Sequence, residues 1–148
     1  MSAVYPTIAR FKEYAVPQPW GALVVVAETP EYTGKVLIRE PDGPRAGLQY
    51  HPTRSESFYL YEGEVDVYFV KPDGLLCRVH MTPGMSFYIP AGAIHSVQTC
   101  GRSVMFETSR PLRDGEVPRV NVERNYDITQ AIEVDPVTLE SLAVADGR

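Results

Sequence analysis

The chain has 148 residues, a net charge of −5 at pH 7 and 44% apolar residues, which is typical of one soluble globular domain. It contains no basic run and no apolar run of membrane-spanning length, so we expect neither nucleic-acid binding nor membrane insertion. The N-terminus has no basic region followed by an apolar core, which predicts a cytoplasmic protein without a signal peptide. The two cysteines fit no zinc-finger spacing, and two buried thiols are favoured over one disulfide.

Short apolar segments separated by turn residues dominate the middle of the chain. Their regular spacing of about 8–12 residues is typical of an antiparallel sandwich or barrel. We interpret Glu62-Gly63 and residues 71–74 as hairpin connections. The predicted strands are residues 22–28, 35–40, 47–51, 56–61, 64–70, 75–81, 86–90, 95–99 and 103–108.

The two ends of the chain differ from this β-rich region. Asp135-Pro136 is typical of a helix N-terminus, because Asp is a favourable cap and Pro suits the first helical position. We therefore predict one short C-terminal helix, and an arm or extra strand at the N-terminus. The predicted organisation is a single domain over 1–148, with an N-terminal arm at 1–19, a core barrel at about 20–110 and a C-terminal extension at 111–148.

Side-chain alternation predicts that several polar residues face the barrel interior. Gln49 and His51 are two residues apart and lie on one face of their strand. Glu56 shares a face with Phe58 and Leu60, which should point inward. A carboxylate inside an apolar barrel is costly unless a cation or a hydrogen-bond network satisfies it. The sequence therefore predicts a polar cluster inside the barrel.

A second segment, 84-GMSFYIPAGAIHSVQ-98, predicts a strand, a tight Pro-Ala-Gly turn and a returning strand that begins at His95. His95 therefore enters the sheet at one end of the barrel, where it could complete a ligand shell. In this segment Gly84, Pro90, Gly92 and His95 match the second motif of the cupin superfamily, G-x5-P-x-G-x2-H. The segment thus resembles a cupin segment.

The stretch QYHPTRSE at residues 49–56 resembles the first cupin motif. His51 and Glu56 match its second histidine and its glutamate, and Gly63 matches its last glycine. Gln49 replaces the first histidine, which is similar to the type II phosphomannose isomerase branch. The resemblance implies an all-β fold, the cupin double-stranded β-helix or jelly-roll barrel, with the short C-terminal helix added.

The sequence also resembles this branch at positions outside the two motifs. Pro19-Trp20-Gly21 is similar to its early PWG, and Arg54 stands two residues before Glu56 as in that family. Residues 106–109, followed by Arg119, loosely resemble its closing segment. The resemblance therefore extends from the beginning of the barrel to the segment that follows it.

This resemblance implies that Gln49, His51, Glu56 and His95 bind one divalent metal ion. Two imidazoles, a carboxylate and an amide oxygen suit Zn²⁺, the first choice, and also Mn²⁺, Fe²⁺, Co²⁺ or Ni²⁺. No feature of the sequence indicates which residue would act as the general base. His80 has no motif support, and its alternation with Arg78 predicts a surface position.

The implied function is aldose–ketose isomerisation of a small sugar or sugar phosphate, such as mannose 6-phosphate, by a homodimeric enzyme. The alternatives are a metal-dependent dioxygenase or lyase acting on another small substrate, and a non-catalytic cupin that binds a small molecule. Arg54 is the candidate catalytic and phosphate-binding residue, since arginine binds phosphate in a bidentate manner. Further candidate substrate-binding residues are Tyr50, Phe58, Tyr88, Phe106 and Arg119.

Overall fold

The structure, a computed structural model, describes residues 15–41, 47–122 and 126–136. These residues form twelve β-strands and one short 3-10 helix, Ile128–Gln130. The strands are β1 (Ala15–Gln18), β2 (Gly21–Glu28), β3 (Thr33–Arg39), β4 (Gln49–Tyr50), β5 (Glu56–Glu62), β6 (Val65–Val70), β7 (Leu76–Met81), β8 (Ser86–Ile89), β9 (His95–Thr99), β10 (Ser103–Ser109), β11 (Val120–Asn121) and β12 (Ile132–Glu133).

The strands form two six-stranded sheets that enclose the core. The first sheet has the order β1-β2-β3-β10-β5-β8, and the second has the order β11-β4-β9-β6-β7-β12. Neighbouring strands are antiparallel except β12 and β7, which are parallel. The predicted all-β, jelly-roll fold is confirmed, and each of the nine predicted strands corresponds to one of β2–β10.

Alternation along the strands separates the core from solvent as predicted. On β5, Phe58 and Leu60 are buried while Tyr59 and Tyr61 are exposed. Glu56 shares the buried face and is only 4% exposed. This burial of apolar side chains from both sheets is the main stabilising contribution to the fold. The buried core comprises Leu37, Phe58, Leu60, Val65, Val67, Val79, Met81, Ile89, Val97 and Met105.

Of the two predicted hairpins, one is confirmed and one is wrong. Residues 71–74 join the antiparallel strands β6 and β7, with the Gly74 N–H donating to the Lys71 carbonyl at 2.8 Å. The Glu62-Gly63 turn instead connects β5 of the first sheet to β6 of the second. Gly63 has a φ of 83°, and a Cβ there would collide with the carbonyl oxygen of Arg102. The turn sequence is local, whereas the choice of partner strand is not.

Several predictions concern the ends of the chain and the cysteines. The predicted C-terminal helix begins at Pro136, which is helical and is the last described residue; the rest of that helix, and residues 1–14 of the predicted arm, lie outside the described residues. Cys77 is buried as predicted, but Cys100 is exposed, which corrects the expectation for that thiol. In the described ranges, no helix is long and apolar enough to cross a bilayer.

Candidate metal centre

Three polar side chains meet at one end of the barrel, between the two sheets. His51 directly follows β4, Glu56 begins β5 and His95 begins β9. All three are at least 95% buried, with exposed fractions of 5%, 4% and 3%. We call these three residues the triad. Each member of the triad thus lies at the end of a strand, with its side chain directed between the sheets.

Backbone contacts hold the two histidine-bearing segments together. Gln49 of β4 is paired with His95 of β9 in the second sheet. The Gly92 N–H donates to the His51 carbonyl at 2.8 Å. Gly92 has a φ of 82°, a conformation that glycine adopts without steric strain. The Pro-Ala-Gly turn therefore fixes His95 relative to His51 through the main chain.

The ligand atoms of the triad converge on one another. The Glu56 Oε2 atom lies 3.2 Å from His51 Nε2 and 3.6 Å from His95 Nε2. One ligand atom from each residue lies within 4.8 Å of the other two, and the imidazole centroids are 5.5 Å apart. These separations are compatible with three ligands around one small cation, given metal–ligand bonds of about 2.0–2.2 Å.

The outer nitrogens of both imidazoles are bound to backbone carbonyls. His51 Nδ1 is 2.6 Å from the Pro118 oxygen, and His95 Nδ1 is 2.9 Å from the Ala93 oxygen. A carbonyl cannot donate, so the Nδ1 atom of each imidazole carries a proton, and each Nε2 atom faces Glu56 Oε2. Metal-binding histidines have this arrangement. A second proton or a metal cation must lie between His51 and Glu56.

The ionisation of the triad favours cation binding at neutral pH. Burial would raise the pKa of Glu56, but the hydrogen bond from His51 and the charges of His51, Arg54 and His95 outweigh it and lower that pKa. Burial lowers the pKa of His95, which keeps its imidazole neutral. A carboxylate and a neutral imidazole are the forms that coordinate a metal. The donor set therefore fits a divalent ion chemically.

Gln49, the fourth predicted ligand, lies beside the triad on the wall of the same cavity. Its Oε1 atom accepts a hydrogen bond from Arg119 Nη1 at 3.3 Å. An oxygen has two lone pairs, so this bond leaves one for a cation. The described residues that form the tight ligand group are the three members of the triad, without Gln49.

Arg54 lies against the triad. Its Nη2 atom is 3.1 Å from Glu56 Oε1, and its buried Nε atom has no hydrogen-bond partner in the described chain. Glu56 can thus use Oε1 for Arg54 while Oε2 faces the histidines. Arg54 therefore lies beside Glu56 and orients its carboxylate.

A cavity of about 480 Å³ opens from the triad between the two sheets. Its wall carries more positive than negative side chains, which favours a small anionic ligand. The charged residues that line it are Lys35, Arg39, Arg54 and Arg119, together with Glu56 and Glu107.

Glu107 and Lys35 line the cavity without having been predicted as site residues. Glu107 is 7% exposed, and Lys35 Nζ lies 3.4 Å from its Oε1 atom. Burial, followed by the charge of Glu56, raises the pKa of Glu107, although Lys35 opposes the shift. Glu107 is two residues from Met105, and Lys35 is two residues from Leu37. Because Met105 and Leu37 are buried, this spacing was the sequence signal that could have identified both side chains as inward-facing.

The predicted aromatic and arginine contacts are only partly placed at this cavity. Phe58 and Arg119 line it, whereas Tyr50 does not. Phe106 and Tyr88 are 41% and 54% exposed, on outward faces of the first sheet, which corrects their predicted pocket positions. Their strand neighbours Glu107 and Ile89, one residue along, are buried instead.

His80 lies on the outer face of the second sheet, as predicted. Its Nδ1 atom is 2.8 Å from Asp66 Oδ1, and its Nε2 atom is 3.1 Å from Glu64 Oε2. Cys100 is close enough for Asp66, His80 and Cys100 to form a second group of possible ligands. These outer side chains are much more exposed than the triad.

Comparison with known proteins gives a family match and several similar folds. The family described as Cupin domain matches residues 36–107. Nectarin-1 from Nicotiana plumbaginifolia is 28% identical over 109 residues, which cover 65% of this chain and 48% of that protein. The chain thus spans about half the length of that curated relative.

Two solved structures illustrate the shared fold. CapF, a capsular polysaccharide assembling protein from Staphylococcus aureus, has a TM-score of 0.62 and 20% identity, covering 81% of this chain and 33% of its own. Bacillus subtilis oxalate decarboxylase has a TM-score of 0.59 and 19% identity, covering 75% of this chain and 30% of its own. Residues 36–107 thus match the Cupin domain family, and the chain shares its fold with these two solved structures.

Proposed function

We propose that this protein is a metal-dependent enzyme that interconverts the aldose and ketose forms of a small sugar phosphate. One observation carries the proposal. Two imidazole nitrogens and the Glu56 carboxylate converge at the end of a cationic cavity that also holds a second buried carboxylate, Glu107. An isomerase of this kind needs a site for substrate oxygens and a separate group that moves a proton.

His51, Glu56 and His95 would hold the metal, and the Gln49 oxygen is available as a further ligand. When bound, a divalent ion polarises the carbonyl and hydroxyl oxygens of the substrate. Zn²⁺ is the first choice for two imidazoles and a carboxylate. Mn²⁺ is a supported alternative, because the solved Bacillus subtilis oxalate decarboxylase is described as having Mn(II) centres. Fe²⁺, Co²⁺ and Ni²⁺ also suit these ligands.

Glu107 is the proposed proton-transfer group. Its ionised carboxylate takes the proton from C2 of the aldose and returns it to C1, while the C2 hydroxyl loses a proton and the C1 carbonyl oxygen gains one. The C1 carbonyl becomes an alcohol and the C2 alcohol becomes a carbonyl, so no external oxidant is needed. Lys35, 3.4 Å from Glu107, stabilises the ionised form.

Proton exchange in D₂O tests this reaction. Zinc-loaded protein is incubated with mannose 6-phosphate, and NMR follows the appearance of fructose 6-phosphate with deuterium at C1 and, after the reverse reaction, of aldose with deuterium at C2. We expect Glu107→Gln to lower kcat by about 10²–10⁴-fold, the usual contribution of a general base, with zinc content unchanged. Since Glu107 must be ionised, its raised pKa should move the acidic limb of the rate profile to higher pH.

The matched control is Glu62→Gln, an exposed glutamate at the other end of β5. It should leave both the rate and the zinc content unchanged. A wild-type protein that contains zinc but produces neither ketose nor exchange with aldose phosphates would refute the isomerase proposal.

A metal-dependent oxygenase or lyase is the second candidate. It is favoured by the triad itself, since two histidines and one carboxylate with open positions are typical of non-haem Fe²⁺ oxygenases. Oxygen consumption by the iron-loaded protein with small hydroxy acids, and no proton exchange with sugar phosphates, would support this candidate. Binding of sugar phosphates without turnover under either condition would instead indicate a non-catalytic cupin.

A further inference from the structure

Arg39 is a half-buried cation that the metal centre does not use. It lies on β3 and shares one face of that strand with Leu37 and Lys35. Its side chain, like theirs, lines the cavity. Its Nη1 atom donates to the Val97 carbonyl of β9 at 3.0 Å. The guanidinium therefore bridges the gap between the first and the second sheet.

The charge of Arg39 is not paired by any carboxylate of the described chain within 4.0 Å. Lys35 is paired with Glu107 and Arg54 with Glu56, whereas the half-buried Arg39 has no such carboxylate partner among the described residues. Its Nε atom is buried and has no hydrogen-bond partner in the described ranges. Burial lowers the pKa of Arg39 to about 10, and only the more distant charge of Glu107 opposes that shift.

An unpaired, half-buried guanidinium is energetically unfavourable, because it loses part of its hydration without gaining a counter-charge. Its unused hydrogen-bond donors add to that cost. An anion bound beside it would supply both missing interactions. The arrangement thus favours an anionic ligand at Arg39 over an empty cavity.

Trp20 orients this guanidinium. The Arg39 Cζ atom lies 4.7 Å from the centroid of the Trp20 ring. All guanidinium N–H donors lie in one plane, so an aromatic face that fixes the plane also fixes the direction of the donors. A planar fork held in this way is suited to two oxygens of one carboxylate or phosphate.

We infer that Arg39 and Trp20 form a subsite for the terminal oxyanion of the substrate, distinct from the metal ligands. The Val97 carbonyl accepts the hydrogen bond from Arg39, and Val97 is two residues from His95 along β9. The main chain at Val97 is therefore about 6–7 Å from the main chain at His95. The ligand class is therefore a chain several bonds long, with oxygen donors at one end and a phosphate or carboxylate at the other. Under the proposed function, on which the choice of a sugar phosphate rests, the oxyanion is the phosphate.

Tryptophan fluorescence tests the subsite directly, because Trp20 is the single tryptophan of the chain. Metal-free protein is titrated with inorganic phosphate and, separately, with acetate, to distinguish the two oxyanion chemistries. We expect a saturable change in fluorescence and at least a tenfold loss of affinity in Arg39→Gln. Arg102→Gln, which alters an exposed arginine beyond the cavity lining, is the matched control and should titrate as the wild type does.

Arg39→Lys keeps the charge but removes the planar fork, and should bind more weakly than the wild type. This variant decides the question if circular dichroism shows that Arg39→Gln does not fold. The inference is overturned if neither anion changes the wild-type fluorescence, or if the folded Arg39 variants bind as tightly as the wild type does.

A kinetic measurement separates this inference from the proposed reaction. If sugar phosphates are isomerised, Arg39→Gln should raise KM with little change in kcat, because the contact lies away from the reacting carbons. Anion binding that depends on Arg39, together with no isomerisation, would support the subsite and refute the proposed reaction. The reverse result, isomerisation with an unchanged KM in Arg39→Gln, would refute the subsite alone.

Discussion

Glu56 has two roles, each assigned to one oxygen of a single carboxylate. Oε1 faces Arg54 at 3.1 Å, while Oε2 faces both histidines of the triad. An isolated carboxylate at 4% exposure would be strongly unfavourable, but cationic and hydrogen-bonding neighbours outweigh the cost of burial. The residue is therefore stable as an anion where a metal ligand is needed.

Glu56→Gln tests the metal-binding role of this residue. The substitution keeps the size of the side chain but removes its charge, so we expect zinc affinity to fall by on the order of 100-fold or more. Isothermal titration calorimetry with zinc measures the effect. Glu62→Gln, at the exposed end of the same strand, should retain wild-type affinity; equal affinity in both variants would contradict the assignment of Glu56 as a ligand.

At the scale of elements, the β6–β7 hairpin carries a charged cluster on its outer face. His80 of β7 is placed opposite Asp66 of β6 in the strand register. The hydrogen bond that His80 donates to Asp66, followed by the charge of Asp66 and the contacts with Glu64, raises the pKa of His80 above its ordinary value of 6.5 despite partial burial. Arg78 also faces Asp66, at 3.8 Å. These neighbours thus favour the protonated form of the imidazole.

This cluster predicts a pH-dependent contribution to stability. Because the folded-state pKa of His80 is raised, its contribution is fully present below the unfolded pKa of about 6.5 and is lost as the pH rises through the folded pKa. We expect His80→Gln to be less stable than the wild type near pH 5, with the difference shrinking towards pH 9. Urea denaturation at several pH values measures it, and Asp66→Asn should remove the same dependence. A difference that is constant with pH would contradict the prediction.

At the scale of the whole molecule, a metal ion bound at the triad would join the two sheets. The triad takes Glu56 from the first sheet and its histidines from the second sheet or the end of its strand β4. A ligand that binds only the folded state stabilises it in proportion to its free concentration. The metal should therefore raise the stability of the entire sandwich.

Thermal unfolding with and without zinc measures this effect. Free zinc at about 100 times its Kd should stabilise the protein by about 2.7 kcal/mol, or roughly 5–10 °C in Tm for a chain of this length. His51→Gln, compared with its own metal-free form, should lose most of that shift. An undiminished shift in this variant would place the metal elsewhere, and Asp66, His80 and Cys100 are the other possible ligand group among the described residues.

Much of the fold and part of the candidate site could be predicted because the information is local. Alternation with a period of two decides which side chains of a strand face the core, so Glu56 was placed inside together with Phe58 and Leu60. The turn before His95 is likewise encoded by adjacent residues. The same alternation places Tyr88 and Phe106 on outward faces, next to the buried Ile89 and Glu107. It therefore argues against the predicted contacts of these two aromatic residues with the pocket.

What the sequence by itself determined is the positions of nine of the twelve strands, β2–β10, and the inward face of β5. Only the tertiary structure decided which strands are neighbours, so the Glu62-Gly63 turn crosses between sheets and Arg39 reaches Val97, which is 58 residues away. It also decided that the Pro118 carbonyl, 67 residues from His51, fixes the imidazole proton. The physical reason is that strand periodicity is a property of a few adjacent residues, whereas these contacts depend on the pairing of distant segments.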